Sequence, residues 1–309
     1  MGKAVPVPHR EIKGVSVSIL GVGGSALGDI KDPSEAGRIV SEALENGINF
    51  FDNAWEYHDG MSEEALGRAL KGKRDQAFVM TKVCSHGRKR DVAMKMLEDS
   101  LRRLQTDHLD LWQIHEVIYD NDPDLHFAHD GAVEALTQAK QQGKVRFVGF
   151  TGHKDPDIHL KMLSHRYPFD TVQMPLNPFD KNYRSFQERV IPEARRQGIL
   201  PIGMKSMGGG GEPVKRGVAT PEELLRYAMS VPGILTTVSG MDSYDVFRQN
   251  LAVANNFTPL SGAEMAALED RVKAMAGDGR LEHYKATKMY DAAVGRQQHG
   301  FPSAKELPA

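Results

Sequence analysis

The sequence predicts one (β/α)8 barrel domain over residues 1–309, with a barrel core at about 15–255 and a C-terminal helix and tail at 256–309. Eight short apolar runs alternate with helix-length segments, and turn-forming residues separate them. This alternation is typical of a parallel sheet, and eight units of this size favour a closed barrel over an open sheet. The chain length also fits one barrel of about 250 residues with added segments.

The elements follow in chain order, and each has a local signal. A hairpin over 5–12 is expected to plug the lower end of the barrel, and glycines 21–24 end the first strand as a loop. Predicted strands cover 15–20, 48–52, 77–82, 109–115, 145–150, 171–174, 199–204 and 234–238. Predicted helices cover 33–46, 62–70, 91–104, 131–142, 156–164, 184–197, 221–229, 243–254 and 262–276. Caps and apolar spacing set their bounds, as with Asp32 or Ser34 before the first helix and Gly47 after it.

Composition excludes several classes of partner. The net charge is -2 with dispersed basic residues, which argues against nucleic acid and anionic membranes. No apolar run approaches the ~20 residues that span a bilayer, and the N-terminus has no apolar signal core. The single cysteine, Cys84, rules out an internal disulfide and fits the reducing cytoplasm.

Three successive predicted strands end in polar residues: Asp52, Lys82 and His115. The carboxyl ends of barrel strands converge on one face, where the chemistry of this fold takes place. Alone, the aspartate could cap a turn, the lysine could end a solvated strand and the histidine could sit in the core. Together with Tyr57 in the loop between, they predict a proton-donor site for carbonyl reduction.

A glycine-rich segment offers a different interpretation. Residues 21–26 match the relaxed dinucleotide fingerprint GxGxxA, and Asp52 ends the next strand, where a ribose-binding acid could lie. That fingerprint needs a helix that begins inside it, whereas residues 27–33 are predicted to be loop. The glycines more plausibly form a tight loop where the backbone approaches a ligand.

Five segments, in order, closely resemble the aldo-keto reductase superfamily: DNAWEYHDGMSEEALGRAL, FVMTKV, LDLWQIHEV, GKVRFVGFT and VQMPLNPF. The resemblance implies a barrel that binds an extended nicotinamide cofactor and uses Asp52, Tyr57, Lys82 and His115 as its catalytic tetrad. Hydride would pass to a carbonyl carbon and Tyr57 would protonate the oxygen. Lys82 would favour the phenolate, Asp52 would hold Lys82, and His115 would orient the carbonyl.

The resemblance also implies a set of cofactor contacts: Gly21, Val22, Asp52, Thr151, Gly152, Gln173, Met204, Lys205, Ser206, Met207, Gly208, Gly240, Met241, Gln249 and Asn250. The family commonly has Asn where this chain has Gly152, and His153 could replace that contact. Glycines 208–211 either fold over the pyrophosphate or form a surface loop. NADP(H) is favoured and NAD(H) is not excluded, because Asp242 stands where an Arg often occurs, although Arg248 could compensate.

Two rival functions stay open at this stage: a regulatory cofactor-binding protein with little turnover, and a Schiff-base lyase or isomerase that uses Lys82. We expect no metal, since His115, His126 and His129 are not accompanied by an HExxH motif or paired cysteines. The expected partner is a small-molecule carbonyl substrate, in the cytoplasm, without nucleic acid or membrane. Tyr284 and Tyr290 favour docking of the tail on the barrel over a disordered end.

Overall fold

A computed structural model describes residues 6–84, 89–288, 290–303 and 306. Eight parallel strands close into a barrel, in which each strand pairs with its neighbours in sequence and the last pairs with the first. The predicted fold class is therefore confirmed. The barrel strands are β3 (Leu20–Gly23), β4 (Phe50–Asp52), β5 (Phe78–Val83), β6 (Leu109–Ile114), β7 (Val145–Thr151), β8 (Thr171–Pro175), β9 (Leu200–Met204) and β10 (Thr236–Gly240).

The predicted first strand at 15–20 is wrong. Its first part is β2 (Val15–Ser18), which pairs antiparallel with β1 (His9–Ile12) in a hairpin outside the barrel sheet. Lys13 and Gly14 both have positive φ and turn the chain there. The alternating VSVS pattern is typical of a sheet with one solvated face, whereas barrel strands are apolar on both faces. The barrel strand begins at Leu20, so the glycines predicted as loop at 21–23 lie in β3.

In the part of the chain that the structure describes, nine α-helices lie where the sequence predicts them, and five short α-helices were not predicted. The predicted ones are α2 (Pro33–Glu45), α3 (Met61–Ala69), α4 (Arg90–Leu104), α6 (Ala132–Gln141), α7 (Pro156–Ser164), α8 (Phe186–Arg196), α10 (Pro221–Ser230), α11 (Tyr244–Asn255) and α12 (Gly262–Ala276). The others are α1 (Gly24–Asp29), α5 (Asp122–Phe127), α9 (Glu212–Lys215), α13 (His283–Ala286) and α14 (Ala293–Gln298).

The dinucleotide-fingerprint interpretation fails for a different reason than expected. Residues 24–29 form a helix rather than loop, so a helix does begin inside the glycine-rich segment. However, β3 pairs with β10 on one side and β4 on the other, which closes the sheet into a barrel. An open dinucleotide-binding sheet is therefore excluded by topology.

The barrel interior is a packed apolar core beneath the carboxyl ends of the strands. Phe50, Phe78 and Phe147 point inward and stack in series, with the first two ring centroids 5.2 Å apart. Ile12 and Val17 of the hairpin join this interior cluster, as expected for a plug. A second core fills the space between the strands and the helices. Among the described residues, no helix is long and apolar enough to span a bilayer.

Alternation along the strands carries polar side chains to the upper end of this core. In β5, residues 78 and 80 point inward, so Lys82 does as well. In β6, Leu111 is inward, which puts His115 on the same side one residue past the strand end. Asp52 follows Phe50 in the same way in β4. Period-two geometry thus brings the three polar residues to one mouth.

Candidate active site

A buried ion pair forms the floor of the site. The Lys82 ammonium contacts Asp52 Oδ1 and donates a 2.7 Å hydrogen bond to the backbone oxygen of Asn53. The two side chains are 1% and 5% exposed, so their charges are matched largely without solvent. Gln173 Nε2 donates to the other Asp52 oxygen at 2.8 Å and thereby links β8 to the pair. The predicted neutralisation of Lys82 by Asp52 matches this geometry.

Tyr57 lies directly above the ion pair on a sharply turned loop. His58, Asp59 and Gly60 have φ values of 52, 54 and 92°, three consecutive left-handed residues. Non-glycine residues adopt this region only when surrounding contacts hold them there. His58 provides one such contact, since its Nε2 lies 2.8 Å from Ser25 O. The Tyr57 ring centroid is 5.0 Å from Lys82 Nζ and 5.6 Å from the His115 ring.

The electrostatic setting of Tyr57 differs from the expectation. Burial and the nearby carboxylates, led by Asp52 and then Glu56, raise the pKa of the Tyr57 phenol well above its usual value. Lys82 does not reverse this, because its charge is already matched by Asp52. The net shift of the Tyr57 pKa is therefore opposite in direction to the one expected from Lys82.

Glu56 is a site residue that the sequence analysis missed. Its Oε1 contacts His115 Nδ1, and both side chains are 9% exposed. Burial disfavours ionisation of Glu56, yet His115 and Lys82 together hold the pKa of its carboxyl below the usual value. Burial lowers the pKa of His115, whereas Glu56 opposes that shift. A lone acid before Tyr57 in a polar loop gives no sequence signal for this contact.

A second buried acid and the only cysteine lie beside the pair. Burial, and then the negative charge of Glu56, raises the pKa of Glu116 to about 8. The Cys84 pKa is also raised well above its usual value by burial and by these acids, so the residue is a protonated thiol. Glu56, Cys84 and His115 bring potential metal-binding atoms within 4.8 Å of one another. Two of these atoms, Glu56 Oε1 and His115 Nδ1, contact each other directly.

The C-terminal tail packs across the mouth of the site. Ala292 N donates to Glu116 Oε2 at 3.1 Å, and Gln298 Nε2 donates to Cys84 O at 3.1 Å. Asp291 forms an ion pair with Lys154, beyond the end of β7, at 2.6 Å. Tyr284 is fully buried, so the expected docking of the tail is confirmed. The tail therefore forms part of the wall around Tyr57 and His115.

At the predicted nicotinamide end, Gly152 has no room for a larger side chain such as asparagine. A Cβ on Gly152 would lie 2.4 Å from Val117 O and 2.7 Å from a carbon of the His159 ring, which leaves no room for a side chain. His153, next in sequence, is buried, and its Nε2 has no hydrogen-bond partner among the described residues. Gln173 Oε1 is likewise buried and unpartnered, although its nitrogen holds Asp52. These orphaned atoms match the donors and acceptors of a carboxamide.

Other predicted contact positions spread along the upper ends of β3, β9 and β10. Gly21 and Val22 are buried in β3, and Thr151 ends β7, where its hydroxyl lies 3.9 Å from Met204 sulfur. After β9, Lys205 Nζ lies 5.3 and 5.6 Å from the rings of Tyr284 and Tyr290. A Cβ on Gly209 would lie 3.3 Å from the Tyr284 ring and 3.6 Å from the Tyr290 ring, and a Cβ on Gly210 would lie 3.2 Å from the Tyr290 hydroxyl. Ser206, Met207 and Gly208 line this turn.

The residues predicted to bind the adenine end of the cofactor differ in their exposure to solvent. Asn250 is buried, and its Nδ2 donates to the Ser239 hydroxyl at 3.2 Å, whereas its Oδ1 accepts no hydrogen bond from any residue that the structure describes. Gly240 and Gln249 are exposed, whereas the Met241 side chain is fully buried in the outer core. Arg248, the residue predicted to compensate for Asp242, contacts Glu42. A 2′-phosphate would have to compete with that carboxylate.

Comparison with known proteins gives a consistent result. The family model described as "Aldo/keto reductase family" matches residues 19–212. The aldo-keto reductase YhdN of Bacillus subtilis is 30% identical over 61% of this chain, a match that spans 58% of that relative. The holo form of aldo-keto reductase AKR11C1 from Bacillus halodurans is 26% identical with a TM-score of 0.74, covering 89% of this chain and 99% of that one. A Klebsiella pneumoniae aldo/keto reductase, solved with NADP and acetate, shares the fold with a TM-score of 0.71 at 22% identity, covering 87% and 96%.

Proposed function

Because this chain belongs to the aldo/keto reductase family, we propose that it reduces a small aldehyde, ketone or sugar to the alcohol with hydride from NAD(P)H. The observation that carries the proposal is the cluster of Asp52, Lys82, Tyr57 and His115 at one end of a closed barrel. A half-buried phenol beside a buried imidazole suits proton delivery to a carbonyl oxygen. Tyr57 is the proposed donor, and His115 orients the carbonyl.

The residues present fit a nicotinamide cofactor. The unpartnered oxygen of Gln173 and the unpartnered nitrogen of His153, together with Thr151, would hold the carboxamide. Asn250 would meet the adenine, and the turn 204–208 with the glycines after it would cover the phosphates. When bound, the cofactor supplies the hydride. NADP(H) is preferred, as in the Klebsiella complex, although the Arg248–Glu42 contact keeps NAD(H) open.

The rival functions differ in what they require of Lys82. A Schiff-base mechanism needs a free amine, whereas Lys82 is buried and bonded to both Asp52 and Asn53. No observation favours it. A regulatory role would keep the cofactor site and lose turnover, which an activity assay resolves. We also propose a cytoplasmic location, which the free thiol of Cys84 fits.

The test is oxidation of NADPH and NADH, followed by absorbance, with aromatic aldehydes, methylglyoxal and aldoses as substrates. Tyr57→Phe is expected to lower kcat by at least about 100-fold while cofactor affinity is retained, since only the phenolic proton is removed. Tyr119→Phe is the matched control, because Tyr119 is a phenol in the loop after β6 outside the tetrad. Equal turnover in Tyr57→Phe and the parent protein would refute the donor assignment. Tight cofactor binding without turnover would favour the regulatory alternative.

A further inference from the structure

The contact between Glu56 and His115 assigns a role to a residue outside the tetrad. We propose that Glu56 is a positioning residue that holds a proton on His115, so that the pair returns a proton to Tyr57 in carbonyl reduction and takes one from Tyr57 in alcohol oxidation. The inference rests on the proposed function for its catalytic consequence. Its structural basis, the state of the His115 ring, can be measured without turnover.

Geometry defines which nitrogen is engaged. Glu56 Oε1 meets Nδ1 of His115, while Nε2 makes no hydrogen bond to any residue in the described ranges. The Tyr57 ring lies edge-on to the imidazole at 5.6 Å between centroids. The nitrogen left for a substrate oxygen is therefore Nε2, on the same ring that the carboxylate holds.

The proton inventory of the pair then determines what Nε2 can do. With one shared proton, it sits between Nδ1 and the Glu56 carboxylate, and Nε2 is a bare acceptor. With two protons, Nε2 carries N–H and donates to a carbonyl oxygen. A neutral histidine that carried its proton on Nε2 would not need an acidic partner, but its Nδ1 would then face the carboxylate without a donor. The carboxylate thus ties the donor function of Nε2 to the doubly protonated state.

Among the charges around His115, Glu56 contributes most to favouring the imidazolium form. Burial disfavours the imidazolium, and Lys82 repels it, while Glu56 and more weakly Asp52 favour it. Lys82 is matched by Asp52. Glu116 has a pKa near 8, so it is largely uncharged at neutral pH, and the nearby Cys84 is a neutral thiol. Burial lowers the pKa of His115 overall even with the Glu56 carboxylate in place, and loss of that carboxylate would lower it further.

The reaction balances with this proton. As hydride adds to the carbonyl carbon, the π electrons move to oxygen, which takes the phenolic proton of Tyr57. The resulting phenolate lies in a setting that strongly favours the neutral phenol. It recovers a proton from His115 Nε2, and solvent later returns one to the pair. Alcohol oxidation runs the same transfers backward and needs Nε2 bare at the start.

The experiment compares the parent protein with Glu56→Gln and Glu56→Asp. Reduction and oxidation rates are measured from about pH 5.5 to 9.5. In the parent, kcat for reduction should fall as pH rises and kcat for oxidation should rise. In Glu56→Gln, kcat for reduction should drop at least about 10-fold at low pH, with KM within about 2-fold and a flattened pH dependence. Glu56→Asp keeps the charge and should retain the pH dependence.

Long-range 1H–15N spectra of histidine give the readout without turnover. His115 in the parent should carry a proton on Nδ1 in both states and titrate at higher pH than in Glu56→Gln. If neither variant folds, the parent spectra alone decide the ring state. An Nδ1 without a proton, or unchanged titration in Glu56→Gln, would overturn the proposal. Correct ring behaviour with no turnover on any carbonyl would instead count against the proposed function.

Discussion

Replacing Lys285 by methionine is expected to lower the free energy of unfolding by about 3 kcal/mol. Its ammonium lies 2.7 Å from Asp180 and 3.0 Å from Glu282, and all three side chains are essentially unexposed. Breaking a buried ion pair costs about 3–5 kcal/mol because the partner charge is left unmatched. The low end applies here, since Asp180 keeps a hydroxyl and two backbone donors and Glu282 keeps Asn177 and Tyr284.

The assay is urea unfolding of Lys285→Met beside a surface control, with hydrogen exchange to locate the loss. Lys181→Met is the control, because its pair with Glu269 is half exposed on the lysine side and should be worth less than about 1 kcal/mol. Burial raises the pKa of Glu282, so the deficit in Lys285→Met should shrink at low pH as that carboxyl protonates. A loss below about 1 kcal/mol, or equal losses in both variants, would refute this reasoning.

Two further predictions concern Gly152 and Glu116, which lie near the candidate site. Gly152→Ala should lower thermal stability by about 1–3 kcal/mol, because its Cβ would lie 2.4 Å from Val117 O and 2.7 Å from the His159 ring; an unchanged melting temperature would contradict the tight packing. Glu116 binds its proton more tightly when folded, with a pKa raised to about 8, so folding stability should fall as pH rises from about 4.5 to 8. Glu116→Gln should remove much of that fall, and identical stability-versus-pH curves for variant and parent would count against it.

The sequence predicted the parts of the site that depend on local pattern and barrel geometry. Three of the predicted residues continue the inward-facing alternation of apolar strands: Asp52, Lys82 and His115. A closed parallel barrel brings such strand ends together independently of the loop conformations. The first strand was misplaced because Val15 and Val17 resemble barrel residues until the turn at Lys13 and Gly14 is known.

What escaped prediction depends on contacts between distant segments. Glu56 meets His115 across 59 residues, and the tail meets Cys84 across 214. Neither contact produces a periodic pattern or a characteristic residue spacing that could be recognised in the sequence. The direction of the Tyr57 pKa also needed the full set of buried acids, because pairwise reasoning from Lys82 alone gives the opposite sign.

The packing of the turn at residues 208–210 against the tail has a thermodynamic consequence. A Cβ on Gly208 would lie 2.5 Å from Leu281 O, and a Cβ on Gly209 would lie 3.3 Å from the Tyr284 ring. A ligand that orders this turn must therefore also favour the ordered tail, and by reciprocity tail docking strengthens ligand affinity by the same factor. The described tail residues 281–288 and 290–298 would then respond to occupancy of this turn, so cofactor should protect them from proteases.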